Sequence, residues 1–246
     1  MELGAPRYRC ELIAMGTNTD PYQPIERRLG ITREIIEVLA QCKHPLGIVT
    51  KSALVERDID LLAPMAKQGL VQVFISVTTL DNDIARTLDP RASAPARRLQ
   101  TVRSIAASGI PVGVLASPMI PLINDMELEK ILQAARDAGA TRAGYSILRL
   151  PHEVKGLFRD WLQRHHPMRA QHVMSRVRDM RGGRDNDPNF GTRMKGEGLY
   201  AELIHRRFDL ACRKLGFDTS KRNQLDTSQF CPPVYKPKED TQLDLF

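Results

Sequence analysis

The chain has 246 residues, 42% of them hydrophobic and 26% charged, the balance of a globular protein long enough to bury a substantial core. Its formal net charge of +7 and isoelectric point near 9.4 favour an anionic partner, nucleic acid first. No apolar run reaches the roughly 20 residues of a membrane span, and the amino terminus has no signal-peptide core, so no membrane role and a cytoplasmic location are expected. Cys10, Cys42, Cys212 and Cys231 are scattered without metal-ligand spacing and read as reduced thiols.

After a polar lead, an apolar strand over 11–15 ends in the turn Gly16 to Pro24, with Thr17, Asn18, Thr19 and Asp20 at its tip. The next helix is expected over 25–40 with Ile31, Ile35, Val38 and Leu39 on its inner face. A strand over 46–50 ends at Thr50-Lys51-Ser52. Asp58 then reads as the N-cap of a helix carrying Ile59, Leu62 and Met65, kinked by Pro64.

A strand over 71–77, apolar on both faces, reads as covered on both sides and ends at Ser76-Val77-Thr78. A helix over 96–108 stops at Gly109, and a strand over 111–116 ends at Ser117-Pro118. Asn124 with Glu127 resembles a capping box for a helix with Leu128, Ile131, Leu132 and Ala135, followed by a strand over 142–148. This alternation demands parallel strands with right-handed crossovers. It places four polar strand tips at one carboxyl edge, where parallel α/β folds keep their ligands. Beyond Pro151 no strand is expected. Helical stripes at Val154, Leu157, Phe158, Trp161 and Leu162, then at Val173, Met174, Val177 and Met180, precede the loop RDNDPNFGTRMKGEG. A last helix carries Ile204, Phe208, Ala211 and Leu215. From Phe217 the composition suits an extended tail.

The segments GTNTDPYQPIE, IVTKS, FISVTTLDNDIARTLDPRASAPARR and GIPVGVLASPMIPLIND resemble the radical S-adenosylmethionine (SAM) proteins. The nearest group is the bacterial one related to spore photoproduct lyase, often called DNA-repair photolyase-like. The resemblance covers 11–216 and implies a partial (β/α) barrel that binds SAM beside a 4Fe-4S cluster. Residues 1–151 would be an incomplete barrel lacking its first strand and cluster loop, 152–216 a helical extension and 217–246 a flexible tail. The family's CxxxCxxC loop is missing, and the four cysteines cannot replace it. The expectation is therefore an inactive, amino-terminally truncated form of a radical SAM enzyme with a possible DNA-repair role. The cluster is not bindable by this chain alone. A full-length enzyme would need a reducing partner such as flavodoxin or ferredoxin.

By resemblance, Thr17, Asn18, Thr19 and Asp20 bind the amino-acid end of SAM, although an Asx-turn capping the next helix is the bland alternative. Lys51 would contact the SAM carboxylate; a Schiff-base nucleophile or a snorkelling structural lysine are its rivals. Ser76 stands where the family bonds the SAM ribose and Ser117 where it approaches the adenine. Arg91 is the candidate carboxylate partner, with Arg97 and Arg98 as alternatives. Tyr145 is a conceivable radical relay or core scaffold. The basic stretch 176–195 is a possible phosphate contact.

At the carboxyl terminus, Gln242, Leu243, Asp244, Leu245 and Phe246 look like the pentapeptide with which bacterial repair and replication proteins dock onto the sliding clamp. A non-catalytic adaptor bound to the clamp is the alternative function, and a tail folded back on the barrel is the bland reading.

Overall fold

A computed structural model describes residues 2–218 and 225–233. The sheet is β1 (Ile13–Met15), β2 (Leu46–Thr50), β3 (Val71–Ser76), β4 (Val112–Met119) and β5 (Arg142–Ile147), hydrogen-bonded in that order and parallel throughout. The linking helices are α1 (Glu26–Leu29), α2 (Ile31–Gln41), α3 (Ile59–Lys67), α4 (Asn82–Leu88), α5 (Pro95–Ala107) and α6 (Leu128–Asp137). This is the α/β architecture expected from the alternation, an open sheet followed by a helical region.

One face of the sheet packs under helices. Leu46, Ile48, Val71, Val73, Ile75, Val112 and Val114 are at most 2% exposed, consistent with hydrophobic burial as the main driving force of the core. The alternate positions Val49, Gln72, Phe74 and Leu115 are only half-buried. The expectation that the third strand is covered on both sides is therefore corrected. Right-handed crossovers put successive helices on one face, and the concave face stays open. Phe74 lies across Gly113, where an added Cβ would meet its ring at 2.3 Å.

The helix expected over 25–40 breaks at Gly30 (φ 70°), and its inner face differs from the predicted one. Thr32, Ile36 and Leu39 point inward, whereas Ile31, Ile35 and Val38 are 52%, 42% and 46% exposed. The inward turn is fixed by polar bonds that periodicity does not count: Thr32 N donates to Glu26 Oε1 (3.0 Å) and Thr32 Oγ1 to Pro21 O (2.5 Å). The outward Ile31, Ile35 and Val38 line an 820 Å³ groove with Leu3, Tyr8 and Ile13. That groove flanks β1, whose described pairing is on the β2 side alone.

Two expected helix caps are spent elsewhere. Asp58 makes no cap bond; fully buried, it accepts from Tyr22 Oη (3.0 Å), Arg33 Nη1 (3.1 Å) and Arg57 Nε (2.8 Å). A buried carboxylate needs such partners to be tolerated, and these fasten the turn after β1 to α2 and the segment before α3. Asn124 and Glu127 form no capping box. Asn124 Nδ2 donates to Thr78 O (2.7 Å) and Pro118 O (2.9 Å), and Glu127 Oε2 accepts from Leu80 N (3.2 Å) and Thr79 Oγ1. Both stitch the carboxyl ends of β3 and β4 together. Pro64 lies inside α3, which runs unbroken from Ile59 to Lys67.

Beyond β5 come α7 (Val154–His165), α8 (Ala170–Asp179) and α9 (Gly198–Leu215). Phe158, Leu162, Val173, Met174 and Val177 form a second core with Ile120, Leu148 and Leu150, and α9 packs on α6 and β5. Residues 225–233 cross the amino ends of the strands: Asp226 N donates to Gly69 O (3.1 Å) and Cys231 N to Cys42 O (2.9 Å). Among the described residues no helix is long and apolar enough to cross a membrane.

Candidate functional site

The turn after β1, the end of β2 and the end of α4 enclose a 390 Å³ cleft lined by Thr19, Asp20, Lys51, Ser52, Asp89 and Arg91, among others. Gly16 shapes its near wall. With φ 92° and an added Cβ only 1.9 Å from Val49 O, this position admits no side chain, so the turn lies flat against β2. Asp20 then reaches across. Its Oδ1 accepts from Thr50 Oγ1 (2.7 Å) and Tyr22 N (2.9 Å), and its Oδ2 from Lys51 N (2.8 Å). Asp20 is thus a clip that holds the turn on the end of β2, while Thr17, Asn18 and Thr19 stand exposed around it.

Lys51 leaves the end of β2 and donates to both carboxylate oxygens of Asp89, at 2.8 Å each. Asp89 ends α4, a helix that the sequence reading missed although Asp81 caps it by accepting from Asp83 N and Ile84 N. Beneath the pair, Arg98 is 2% exposed; its Nε donates to Ser93 O (2.6 Å), its Nη1 to Ser76 O (3.1 Å), and its Nη2 lies 3.6 Å from Asp89 Oδ2. Burial pulls the Arg98 guanidinium below its ordinary value, with Asp89 opposing. Asp89 is the site residue that sequence reasoning did not assign, and Arg98, named only as an alternative carboxylate partner, instead supports Asp89 from below. The signal was present in the run LDPRASAPARR, where an acid and three arginines flank a turn.

The three candidate arginines separate clearly. Arg97 is bound to Glu56 (2.6 and 2.7 Å), and that pairing holds the Glu56 carboxyl below its usual range. Arg98 is committed to backbone carbonyls. Arg91 is exposed on the cleft rim and forms no ion pair among the described residues.

Ser76 lies under the floor, 6% exposed. Ser117 is outside the cleft lining, at the end of β4, where its Oγ bonds Ser146 Oγ and its carbonyl accepts from Thr78 Oγ1 (3.0 Å). The structure therefore gathers Thr19, Asp20, Lys51 and Arg91 at one cleft, and places Ser76 below it and Ser117 two strands away. Tyr145 faces α9, its ring 4.7 Å from Phe208 and its hydroxyl 3.2 Å from His205 Nδ1. Burial, with Asp209 nearby, pushes it up to about 12, and it serves as packing there. The pentapeptide Gln242 to Phe246 lies outside the described residues.

A cleft with an ammonium, a free guanidinium, hydroxyls and two carboxylates is complementary to a small zwitterion, since each charge of an α-amino acid finds its opposite within one volume. No three His, Cys, Asp or Glu side chains converge as metal ligands among the described residues, and all four cysteines are free thiols.

Residues 1–135 match the Radical SAM superfamily. An uncharacterized protein of Mycobacterium tuberculosis, Rv2578c, is 36% identical over 181 residues, 73% of this chain and 52% of its own length. An uncharacterized protein of Acidianus two-tailed virus, ORF301, is 33% identical over 138 residues, 54% of this chain and 44% of its own length. The chain spans about half the length of the curated relatives it matches. Among solved structures, spore photoproduct lyase complexed with dinucleoside spore photoproduct superposes with TM-score 0.56 at 14% identity, over 87% of this chain and 61% of the lyase. A spore photoproduct lyase mutant with bound AdoMet superposes with TM-score 0.54 at 14% identity, over 85% and 60%. At that identity the likeness is one of fold. The family match, extending over more than half of the chain, says more: this chain belongs to the radical SAM superfamily.

Proposed function

We propose that the chain is the SAM-binding part of a radical SAM enzyme, and that the cleft between Asp20, Lys51 and Asp89 takes the amino-acid end of SAM. The observation that carries this reading is the convergence of Lys51, Arg91, Thr19 and Asp89 on one 390 Å³ volume at the carboxyl edge of a parallel sheet. Lys51 and Arg91 meet the α-carboxylate, Asp89 and the Thr19 hydroxyl meet the α-ammonium, and the exposed Thr17 and Asn18 border the entrance. Asp20 positions the turn through bonds it already makes. Ser117, half-buried at the end of β4, lies farther along the sheet on the side where ribose and adenine would extend, with Ser76 supporting the floor between.

Bound SAM supplies a sulfonium group, which this superfamily cleaves reductively at a 4Fe-4S cluster; the protein's part is to bind, orient and shield. SAM fits the donor set of the cleft. The cluster does not fit this chain: Cys42 and Cys212 are buried, and no metal-ligand group forms among the described residues. Cluster chemistry, and with it a flavodoxin or ferredoxin reductant, belongs in this reading to a longer product carrying CxxxCxxC. The side of β1 that has no strand partner among the described residues and the apolar groove beside it offer the place where a further β/α unit would pack, because an open edge and exposed Ile31, Ile35 and Val38 are otherwise liabilities. A role in DNA repair rests on the net charge and on what the fold relatives act on, and the substrate is left to experiment.

The test is to translate the codons upstream of Met1, express the longer product, reconstitute iron and sulfide, and assay 5′-deoxyadenosine under dithionite. The expected result is product from the longer protein, at least tenfold less from its Lys51→Met variant and none from the 246-residue chain. A longer protein with its cluster loaded that releases no 5′-deoxyadenosine overturns the reading, as does an upstream frame without CxxxCxxC.

A second reading, an adaptor on the sliding clamp, is favoured by one observation. Residues 225–233 are fastened across the amino ends of the strands, with Phe230 set against Tyr8 and His44. This stretch lies at the end of the sheet opposite the cleft; in this reading a partner bound by Gln242 to Phe246 leaves the cleft open.

A further inference from the structure

The loop after Gly182-Gly183 returns along the outer side of β5, where Ile147 N donates to Met194 O (2.8 Å). Three arginines meet at that junction, and each carries a buried Nε–H with no acceptor among the described residues: Arg149, Arg181 and Arg193. A buried donor without a partner costs more than its bond would have gained, so three in one place make this junction a favourable spot for added negative charge.

Their other contacts locate them. Arg181 is 4% exposed and gives its Nη2 to Leu148 O (2.8 Å) and its Nη1 to Thr192 O (3.3 Å). Arg149 Nη1 finds the Met194 thioether at 3.9 Å, a weak acceptor for a full cation. Arg193, between Thr192 and Met194, stacks its guanidinium 4.3 Å from the ring centre of Phe190, which is 83% exposed. Burial and the neighbouring Arg149 pull Arg181 below its ordinary value. Asp187 offsets part of this charge while its oxygens also accept from Thr192 Oγ1 and Asn189 N (2.9 Å). Asp185 is taken by Arg178 and Arg159.

We propose that Arg149, Arg193 and Phe190 form a nucleotide-binding subsite at the β5–loop junction, with the two guanidinium groups on a phosphate and the exposed ring stacked on the base. The outer guanidinium nitrogens of Arg149 and Arg193 would meet an anion, whose charge also compensates the buried arginines behind them, and a planar base beside Phe190 completes a stack that Arg193 has begun. Arg181 acts as the positioning residue that holds the loop to the end of β5. The subsite is separate from the SAM cleft and stands on its own geometry. Its phosphate can come from a free nucleotide or from a strand of nucleic acid.

The experiment titrates the 246-residue chain, without SAM, against a fluorescein-labelled oligodeoxycytidylate of eight residues and, in competition, against cytidine 5′-monophosphate; a pyrimidine avoids any adenine pocket. Arg149→Gln/Arg193→Gln is expected to weaken binding at least tenfold, and Phe190→Ala, an exposed position that leaves the fold intact, by roughly tenfold from lost stacking. Arg206→Gln, the same charge change on exposed α9 (side chain 78% exposed), is expected to leave it unchanged. Equal affinity for the monophosphate assigns the subsite to free nucleotides, and a strong preference for the strand assigns it to a phosphodiester chain; either supports the proposal. It is overturned if neither probe binds below 1 mM, if Phe190→Ala binds as the wild type does, or if Arg206→Gln weakens binding as much as the double variant.

Discussion

Lys51 and Asp89 form a two-point ion pair at the mouth of the cleft, with the ammonium 2.8 Å from each carboxylate oxygen. The pair joins the end of β2 to the end of α4, and Asp89 passes the link on to buried Arg98 at 3.6 Å. Lys51 Nζ is thereby turned onto Asp89 rather than presented to an incoming carbonyl, which disfavours the Schiff-base alternative. Borohydride reduction in the presence of simple aldehydes or keto acids near neutral pH should leave Lys51 unmodified by peptide mass mapping. A reduced adduct there would revive the nucleophile reading.

Asp89→Asn removes charge-assisted bonds to Lys51 and leaves Arg98 without its carboxylate. The expected loss is about 2 kcal/mol, read as a lower urea midpoint at unchanged slope.

Asp58→Ala should cost more. It strips a fully buried carboxylate from Arg33, Arg57 and Tyr22; Asp60 and Glu26 still pair the two arginines, but several charge-assisted bonds are lost and the Tyr22 hydroxyl loses its acceptor, a change worth about 3 kcal/mol. Urea unfolding of the variant checks it, and a loss below about 1 kcal/mol would contradict the role assigned to this network.

Stability should fall in alkali through Cys212. Burial, with Asp209 nearby, raises its thiol from 9.0 to about 11. In the folded chain the thiol stays protonated while the unfolded chain ionises, so its contribution is complete below about pH 9 and lost as pH rises to about 11. The change is on the order of 2 kcal/mol. The alkaline fall in the urea midpoint should flatten in Cys212→Ala, and Ellman's reagent should reach Cys212 only on unfolding.

Deleting 242–246 should abolish binding to a purified sliding clamp in fluorescence polarisation and leave the thermal melt unchanged. Equal binding by the shortened chain would remove the adaptor reading.

Much of the architecture was legible because buried strand positions and the carboxyl-edge tips are set by local apolar runs. Lys51, Asp20 and Thr19 were readable as a cluster because each ends or follows such a run. What periodicity could not supply were the long-range polar commitments. Ile31, Ile35 and Val38 form a good helical stripe, yet Thr32 turns inward because Glu26 and Pro21 accept its hydrogens. Asp58, Asn124 and Glu127 have cap-like spacing, but their partners lie across the fold, on Arg33, Thr78 and Leu80. The choice among Arg91, Arg97 and Arg98 likewise depended on where Glu56 and the Ser76 carbonyl sit.

The central claim is that the cleft binds SAM, and isothermal titration of SAM into the 246-residue chain tests it most directly. The expected result is saturable binding at one site per chain, displaced by S-adenosylhomocysteine and weakened at least tenfold by Lys51→Met. Titration to millimolar SAM without saturation, or with an affinity indifferent to Lys51→Met, would contradict it.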